Sequence, residues 1–289
     1  MAAYGEPHTL ITERRGDEER VARAALDAGA DALMVLSGDG TWSRVGSVLA
    51  GARSECRLAL AAAGTGNDLA KSTGSPAGDL DATAGLIWEG AYVAVDVMAV
   101  DGVYSLNVLG AGFDAEVLSK AEGARVLSGG ALYVTTALRE LFSYDGLTVE
   151  IEGIDSAPRR RLIVAMANGG RFGGAFRVAP AARMNDGLLD LVVVEDVSPL
   201  ERLRMFGAVI RGTHIGRPGV AYRQTPAVTL RFAEPPVLDL DGEFRQAPAA
   251  TVRVEIRPAA LRMVSRRLPE PTQPPPAPPS ASGGRSGAA

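Results

Sequence analysis

With Cys56 as its only cysteine in 289 residues, the chain can form no internal disulfide and no thiolate cluster for zinc. Histidine is almost as scarce: His8 and His214 are the only two, too few for a histidine-rich metal site. Lysine is confined to Lys71 and Lys120, so arginine carries nearly all the positive charge. With 30 basic against 34 acidic residues the net charge is −4, and no global field draws the chain to nucleic acid. No apolar run reaches the roughly 20 residues of a transmembrane helix, and Met1 to Pro7 lacks the apolar centre of a signal peptide. These absences predict a cytoplasmic protein without a membrane span. A hydrophobic content of 46% is enough for a packed core, in one large domain or two ordinary ones.

The most informative stretch runs from Leu33 to Thr41. Met34 to Leu36 is a short apolar run of the kind buried in parallel sheets, and it stops at Ser37-Gly38-Asp39-Gly40-Thr41. Loops at the carboxyl ends of parallel strands are where α/β sheets bind ligands. Two glycines around one carboxylate let a bulky anion approach while Asp39 holds a metal ion. A helix is predicted over Trp42 to Ala50, with Thr41 at its N-terminus, where free N–H groups favour phosphate. A plain strand-to-helix turn has the same composition. Arg57 to Ala62 repeats the pattern and ends in Ala63-Gly64-Thr65-Gly66-Asn67-Asp68, which sets two such loops side by side.

Around this pair, Thr9 to Thr12 reads as a short strand, Asp17 to Ala28 as a helix closed by Gly29, and Asp81 to Trp88 as another helix. From Tyr92 the β-α alternation gives way to hairpins. Tyr92 to Val100 and Val103 to Leu109 are strands joined by an Asp101-Gly102 turn. A helical region from Ala115 to Phe142 follows. Further strands are predicted at Thr148 to Glu152, Arg161 to Ala167, Leu188 to Glu195, Tyr222 to Phe232, Val237 to Leu240 and Thr251 to Arg257, with a helix over Pro199 to Arg211. The organisation is thus residues 1–91, residues 92–265 as an antiparallel sandwich, and a disordered proline-rich tail over 266–289.

Gly38-Asp39-Gly40-Thr41 and Gly64-Thr65-Gly66-Asn67-Asp68, taken together, resemble the paired signatures of the diacylglycerol kinase catalytic domain family, which includes bacterial lipid kinases and sphingosine kinases. The resemblance spans about Thr9 to Val264. It implies an α/β plus β fold, a Rossmann-like nucleotide domain followed by an antiparallel β-sandwich. It also implies a lipid kinase that transfers the γ-phosphate of ATP to a diacylglycerol-like hydroxyl with Mg²⁺. Gly38, Asp39, Gly40, Thr41, Gly64, Thr65, Asn67 and Asp68 would then hold the nucleotide, together with Thr12, which keeps the family's spacing.

Later segments extend the resemblance. Leu238-Asp239-Leu240-Asp241-Gly242-Glu243 reads as a strand and turn. The family's Asp-Gly-Glu at this place makes Glu243 the candidate general base, with Asp39 as its catalytic partner. Asn185, the Leu188 carbonyl and Asp190, in Asn185-Asp186-Gly187-Leu188-Leu189-Asp190, correspond to the structural magnesium site of bacterial members. Asp114 and Glu116, in Gly112-Phe113-Asp114-Ala115-Glu116, correspond to residues near the lipid head group, or else cap the following helix. Asn168 to Gly174 reads as a mobile or tightly turning glycine loop.

The chain departs from the family at two places. Nothing before Thr9 matches the family's first strand and its Asn-Pro-x-Ser-Gly loop, so the nucleotide domain is read as truncated. Ser43-Arg44 stand where the family commonly has Asn-Glu. The implied partners are a lipid alcohol at the inner membrane surface and, as an open question, a second copy of the chain. Other readings are an NAD kinase, a catalytically silent binding module of the same fold, and a dinucleotide oxidoreductase suggested by Gly64 to Ala70.

Overall fold

The computed structural model describes residues 8–14, 16–113, 144–274 and 276. The first layer contains helix α1 (Asp17–Asp27), strand β1 (Ala32–Ser37), helix α2 (Asp39–Gly51), strand β2 (Arg57–Ala62) and helices α3 (Asp68–Thr73) and α4 (Leu80–Trp88). Strands β1 and β2 are parallel, with Leu33 opposite Leu58 and Val35 opposite Leu60, so their two loops emerge at one sheet edge. Trp42, fully buried, drives α2 onto this sheet and donates its indole N–H to the Val35 carbonyl at 2.9 Å. Val45, Leu49, Leu58 and Leu60 complete that core. Among the described residues β1 pairs only with β2.

The predicted strand over Thr9 to Thr12 is not formed: these residues are exposed and paired in no sheet. Helix α2 begins at Asp39 rather than Trp42, because Gly38 takes the extended N-cap conformation and Thr41 already lies in the first turn. The predicted helix over Ala115 to Phe142 lies outside the described residues, as do Asp114 and Glu116.

From β3 (Val93–Val100) onward the pairing is antiparallel: β4 (Val103–Ser105), β5 (Val108–Gly112), β6 (Leu147–Ile151), β7 (Arg159–Ala167), β8 (Leu189–Glu195), β9 (Val220–Thr225), β10 (Ala227–Phe232), β11 (Val237–Leu240), β12 (Glu243–Gln246) and β13 (Thr251–Met263). Inward residues such as Met98, Leu109, Met166, Leu191, Leu230 and Val254 alternate along these strands and form the sandwich core. The opposite faces of β7 and β8 carry Leu162, Ala165, Val192 and Val194. Helix α5 (Pro199–Arg211) covers them with Met205, Phe206 and Val209. Its limits are those predicted, since Ser198 and Glu201 form a capping box and Gly212 closes it in the left-handed region.

Four further features depart from expectation. The predicted strand over Val103 to Leu109 is two strands, β4 and β5, interrupted at Leu106 and Asn107, whose N–H groups go to the Asp241 carboxylate instead of a ladder. The predicted strand over Tyr222 to Phe232 is two strands broken at Pro226, whose missing N–H cannot continue the ladder. Strand β13 runs past Arg257, shifts register, and places Arg262 and Met263 parallel to Arg57 and Leu58, so the end of the sandwich re-enters the first sheet. The tail is docked at its start: Leu268 packs on the first core, and the Thr272 and Gln273 N–H groups reach the Pro180 carbonyl.

Candidate active site

The two predicted loops meet at their glycines. A Cβ on Gly64 would lie 2.8 Å from the Gly38 Cα, so a side chain at Gly64 would push the two loops apart, and one at Gly38 would sit tightly, 3.2 Å from the Gly64 Cα. Asn67, in the left-handed region at φ 53°, reaches back from its Nδ2 to the Gly64 carbonyl at 2.9 Å and opens α3. The Leu69 N–H donates to Asp39 Oδ1 at 2.9 Å, while Oδ2 lies beside Gly66, 3.0 Å from where its Cβ would be. Burial pushes the Asp39 carboxyl above its ordinary value, with neighbouring Asp68 adding to the rise, although backbone N–H groups oppose it. An anionic carboxylate in this setting is one that a cation would stabilise.

Asp68 joins the halves. Its Oδ1 pairs with Lys71 Nζ at 3.0 Å, and its Oδ2 accepts the Gly174 N–H at 2.6 Å. The glycine loop that carries Gly174 is pinned at its start. Buried Asn168 donates to the Asp96 and Leu106 carbonyls, and Asn107 Nδ2 donates to the Arg171 carbonyl. This loop is therefore of the tightly turning kind.

The third wall is the β11–β12 turn. Asp241 and Gly242 take positive φ, 54° and 92°, as a two-residue hairpin requires. Asp241 is buried and accepts five hydrogen bonds, from Ser43 Oγ, Ser105 Oγ and the N–H groups of Leu106, Asn107 and Val108. Composition gave no sign of this role, because an Asp-Gly turn is ordinarily solvated. The turn presents Glu243 over the N-terminus of α2, with Oε1 3.6 Å from where a Gly40 Cβ would be. Arg44 holds that carboxylate with both ends of its guanidinium, Nε to Oε2 at 2.9 Å and Nη2 to Oε1, while its Nη1 pairs with Glu18. Asp39, Gly40, Thr65, Gly66, Asp68 and Glu243 all line one cleft of about 340 Å³.

Other expected residues stand elsewhere. Gly38, Gly64 and Asn67 belong to the two loops beside the cleft without lining it, Thr41 is half-buried in the first turn of α2, and Thr12 is exposed on the segment before α1. At the expected magnesium segment Asn185 is exposed, and the Leu188 N–H is engaged by Asp186. Asp190 is fully buried: its Oδ1 accepts the Tyr222 hydroxyl, and its Oδ2 has no hydrogen-bond partner. Burial pushes its carboxyl up to about 6 against the hydrogen bonds from Tyr222 and Gln224. That orphaned oxygen is the feature that fits a cation. Among the described residues no group of three His, Cys, Asp or Glu side chains forms a metal centre.

The cleft thus lies between an α/β layer that carries paired glycine loops and an acidic turn from a β-sandwich, the architecture of an α/β domain followed by a mostly antiparallel β domain. Residues 2–100 match the diacylglycerol kinase catalytic domain, and residues 107–265 match the YegS C-terminal NAD kinase beta sandwich-like domain. The chain belongs to the YegS-like lipid kinase and diacylglycerol kinase family. It is 32% identical over 266 residues to the "Probable lipid kinase YegS-like" of Stenotrophomonas maltophilia, covering 88% of this chain and 84% of that one. It is 28% identical to the "Diacylglycerol kinase" of Bacillus subtilis, covering 84% and 81%. The fold matches the crystal structure of a diacylglycerol kinase from Bacillus anthracis str. Sterne, with TM-score 0.67, 21% identity and coverage of 91% and 86%. Among the described residues no helix is long and apolar enough to cross a membrane.

Proposed function

We propose that the protein transfers the γ-phosphate of ATP to the hydroxyl of a diacylglycerol-like lipid that it meets at the membrane surface. The observation that carries this reading is the convergence of Asp39, from the first loop, and Glu243, from the sandwich, on one cleft. The curated relatives' names point to a lipid acceptor.

Bound Mg–ATP supplies the phosphoryl group and the cation that offsets its charge. Asp39 holds that cation in a half-desolvated setting, and the backbone around Gly38, Gly40, Thr41, Gly64, Thr65 and Asn67 faces the phosphates. Asp68 keeps the opposite glycine loop closed on them. Thr12 contacts the nucleotide, and Asp114 with Glu116 orients the lipid head group. Glu243 takes the acceptor hydroxyl's proton as its oxygen bonds to the γ-phosphorus and the bond to the β,γ-bridging oxygen breaks, releasing ADP. Away from the cleft, Asn185, the Leu188 carbonyl and Asp190 hold a structural magnesium ion.

The test is transfer of labelled phosphate from ATP to a panel of lipid alcohols, with NAD included because the sandwich type is shared with NAD kinases. Label on a lipid alcohol supports this reading, and label on NAD alone replaces it. Glu243→Gln should lower turnover about 100-fold or more while ATP affinity stays near wild type. Unchanged turnover would remove Glu243 from the role of base.

A further inference from the structure

We propose that Arg44 is the positioning residue of Glu243: a clamp of Glu18, Arg44 and Ser43 on α1 and α2 holds the proton acceptor at the cleft. This rests on the reading of Glu243 as general base. Arg44 and Ser43 occupy the two positions where the chain departs from the Asn-Glu of the family it resembles. A glutamate at position 44 would face the Glu243 carboxylate with like charge, whereas Arg44 meets it with a fork.

The geometry favours holding over blocking. Arg44 donates to each Glu243 oxygen, so one planar fork fixes the orientation of the carboxylate. The Glu243 side chain is still 33% exposed, against 16% for Arg44 and 8% for Glu18. Arg44 is itself held from behind. Its Nη1 pairs with Glu18, and the other Glu18 oxygen accepts the Gly16 N–H at 2.9 Å at the start of α1.

Ser43, one residue earlier on α2, donates to Asp241 Oδ2 at 2.5 Å. Both substituted positions thus grip the same turn, one at each end of Asp241-Gly242-Glu243. A free glutamate side chain samples many rotamers, and fixing one within reach of a hydroxyl is the kind of orientation that raises turnover rather than affinity.

The experiment is a kinetic and thermodynamic double-mutant cycle on the full chain, with Arg44→Gln, Arg44→Lys, Glu243→Gln and the Arg44→Gln/Glu243→Gln pair. Arg44→Gln should lower kcat about 10-fold with KM for ATP within about twofold. Arg44→Lys should recover only part of that loss, because an ammonium cannot form the fork. In the Glu243→Gln background, Arg44→Gln should change kcat less than about twofold.

An equal loss in both backgrounds overturns the clamp, as does faster turnover in Arg44→Gln, which would make Arg44 a mask on the base. Wild-type turnover in Glu243→Gln overturns the base assignment and the clamp together. If the chain phosphorylates nothing in the panel, the kinase reading fails on its own. The clamp is then decided by urea unfolding of the same four variants, where strictly additive effects of Arg44→Gln and Glu243→Gln overturn it. Arg44→Lys, which keeps the charge balance around Glu18, serves if Arg44→Gln fails to fold.

Discussion

The Asp68 carboxylate accepts the Gly174 N–H at 2.6 Å across 106 positions of sequence, tying the second glycine loop of the parallel sheet to the glycine loop of the sandwich. The bond is buried on the Asp68 side and braced by Lys71. Asp68→Ala should therefore cost about 1–3 kcal/mol of unfolding free energy and loosen ATP binding at once. Urea unfolding and nucleotide titration check the two effects. A variant that loses stability yet binds ATP like wild type would confine Asp68 to scaffolding.

Asp241 makes a sharper stability prediction. Asp241→Ala would strand two hydroxyls and three backbone N–H groups in a buried place and put alanine at a positive φ, a loss of about 3–5 kcal/mol. Asp241→Asn keeps an acceptor oxygen and tolerates the left-handed conformation, so it should lose roughly half as much or less. Equal losses in chemical unfolding would show that the negative charge, not the bond count, holds the segment Ser105 to Val108.

The paired strand-loop-helix units and α5 were legible because each is specified locally, by an apolar run stopping at glycine or by a Ser-Pro start and a Gly end. The convergence of Asp39 and Glu243 was reachable only through the family resemblance, since nothing in the 203 intervening residues of sequence encodes their proximity. The return of β13 to the first sheet was illegible, because Arg257-Pro258 looks like a strand end. The pairing beyond it depends on β2, which is distant in sequence. The break at Pro226 carried its own signal. Ser43-Arg44 stand out in sequence only as a departure from the family's Asn-Glu, and the partners of Arg44 come from α1 and β12, elements no local pattern connects.

Asp190 gives a prediction about metal. Its buried Oδ2 has no hydrogen-bond partner, and a cation there would offset the cost of burying the charge. Millimolar Mg²⁺ without nucleotide should raise the Tm of the wild type, since a ligand at 100 times its Kd adds about 2.7 kcal/mol. Asp190→Asn should respond much less. The same magnesium shift in both proteins, followed by scanning calorimetry, would place the ion elsewhere.

His214 predicts how the protein meets acid. The imidazole is fully buried, its Nε2 lies 2.9 Å from the Val178 carbonyl, and its Nδ1 has no hydrogen-bond partner. Burial holds its pKa below the ordinary 6.5, the Val178 bond opposing and Arg217 adding to the fall. The unfolded chain takes up a proton near pH 6.5 that the folded chain refuses. The contribution of neutral His214 is thus fully present above that value and is lost as pH falls from about 6.5 toward the folded pKa. His214→Gln, whose amide can still donate to Val178, removes the titration but not the donor. Unfolding free energies of the two proteins should differ by a constant above about pH 7 and draw together below about pH 6, the wild type falling faster. Curves that stay parallel from pH 7 to pH 5 would show that the folded protein protonates His214 as readily as the unfolded chain does.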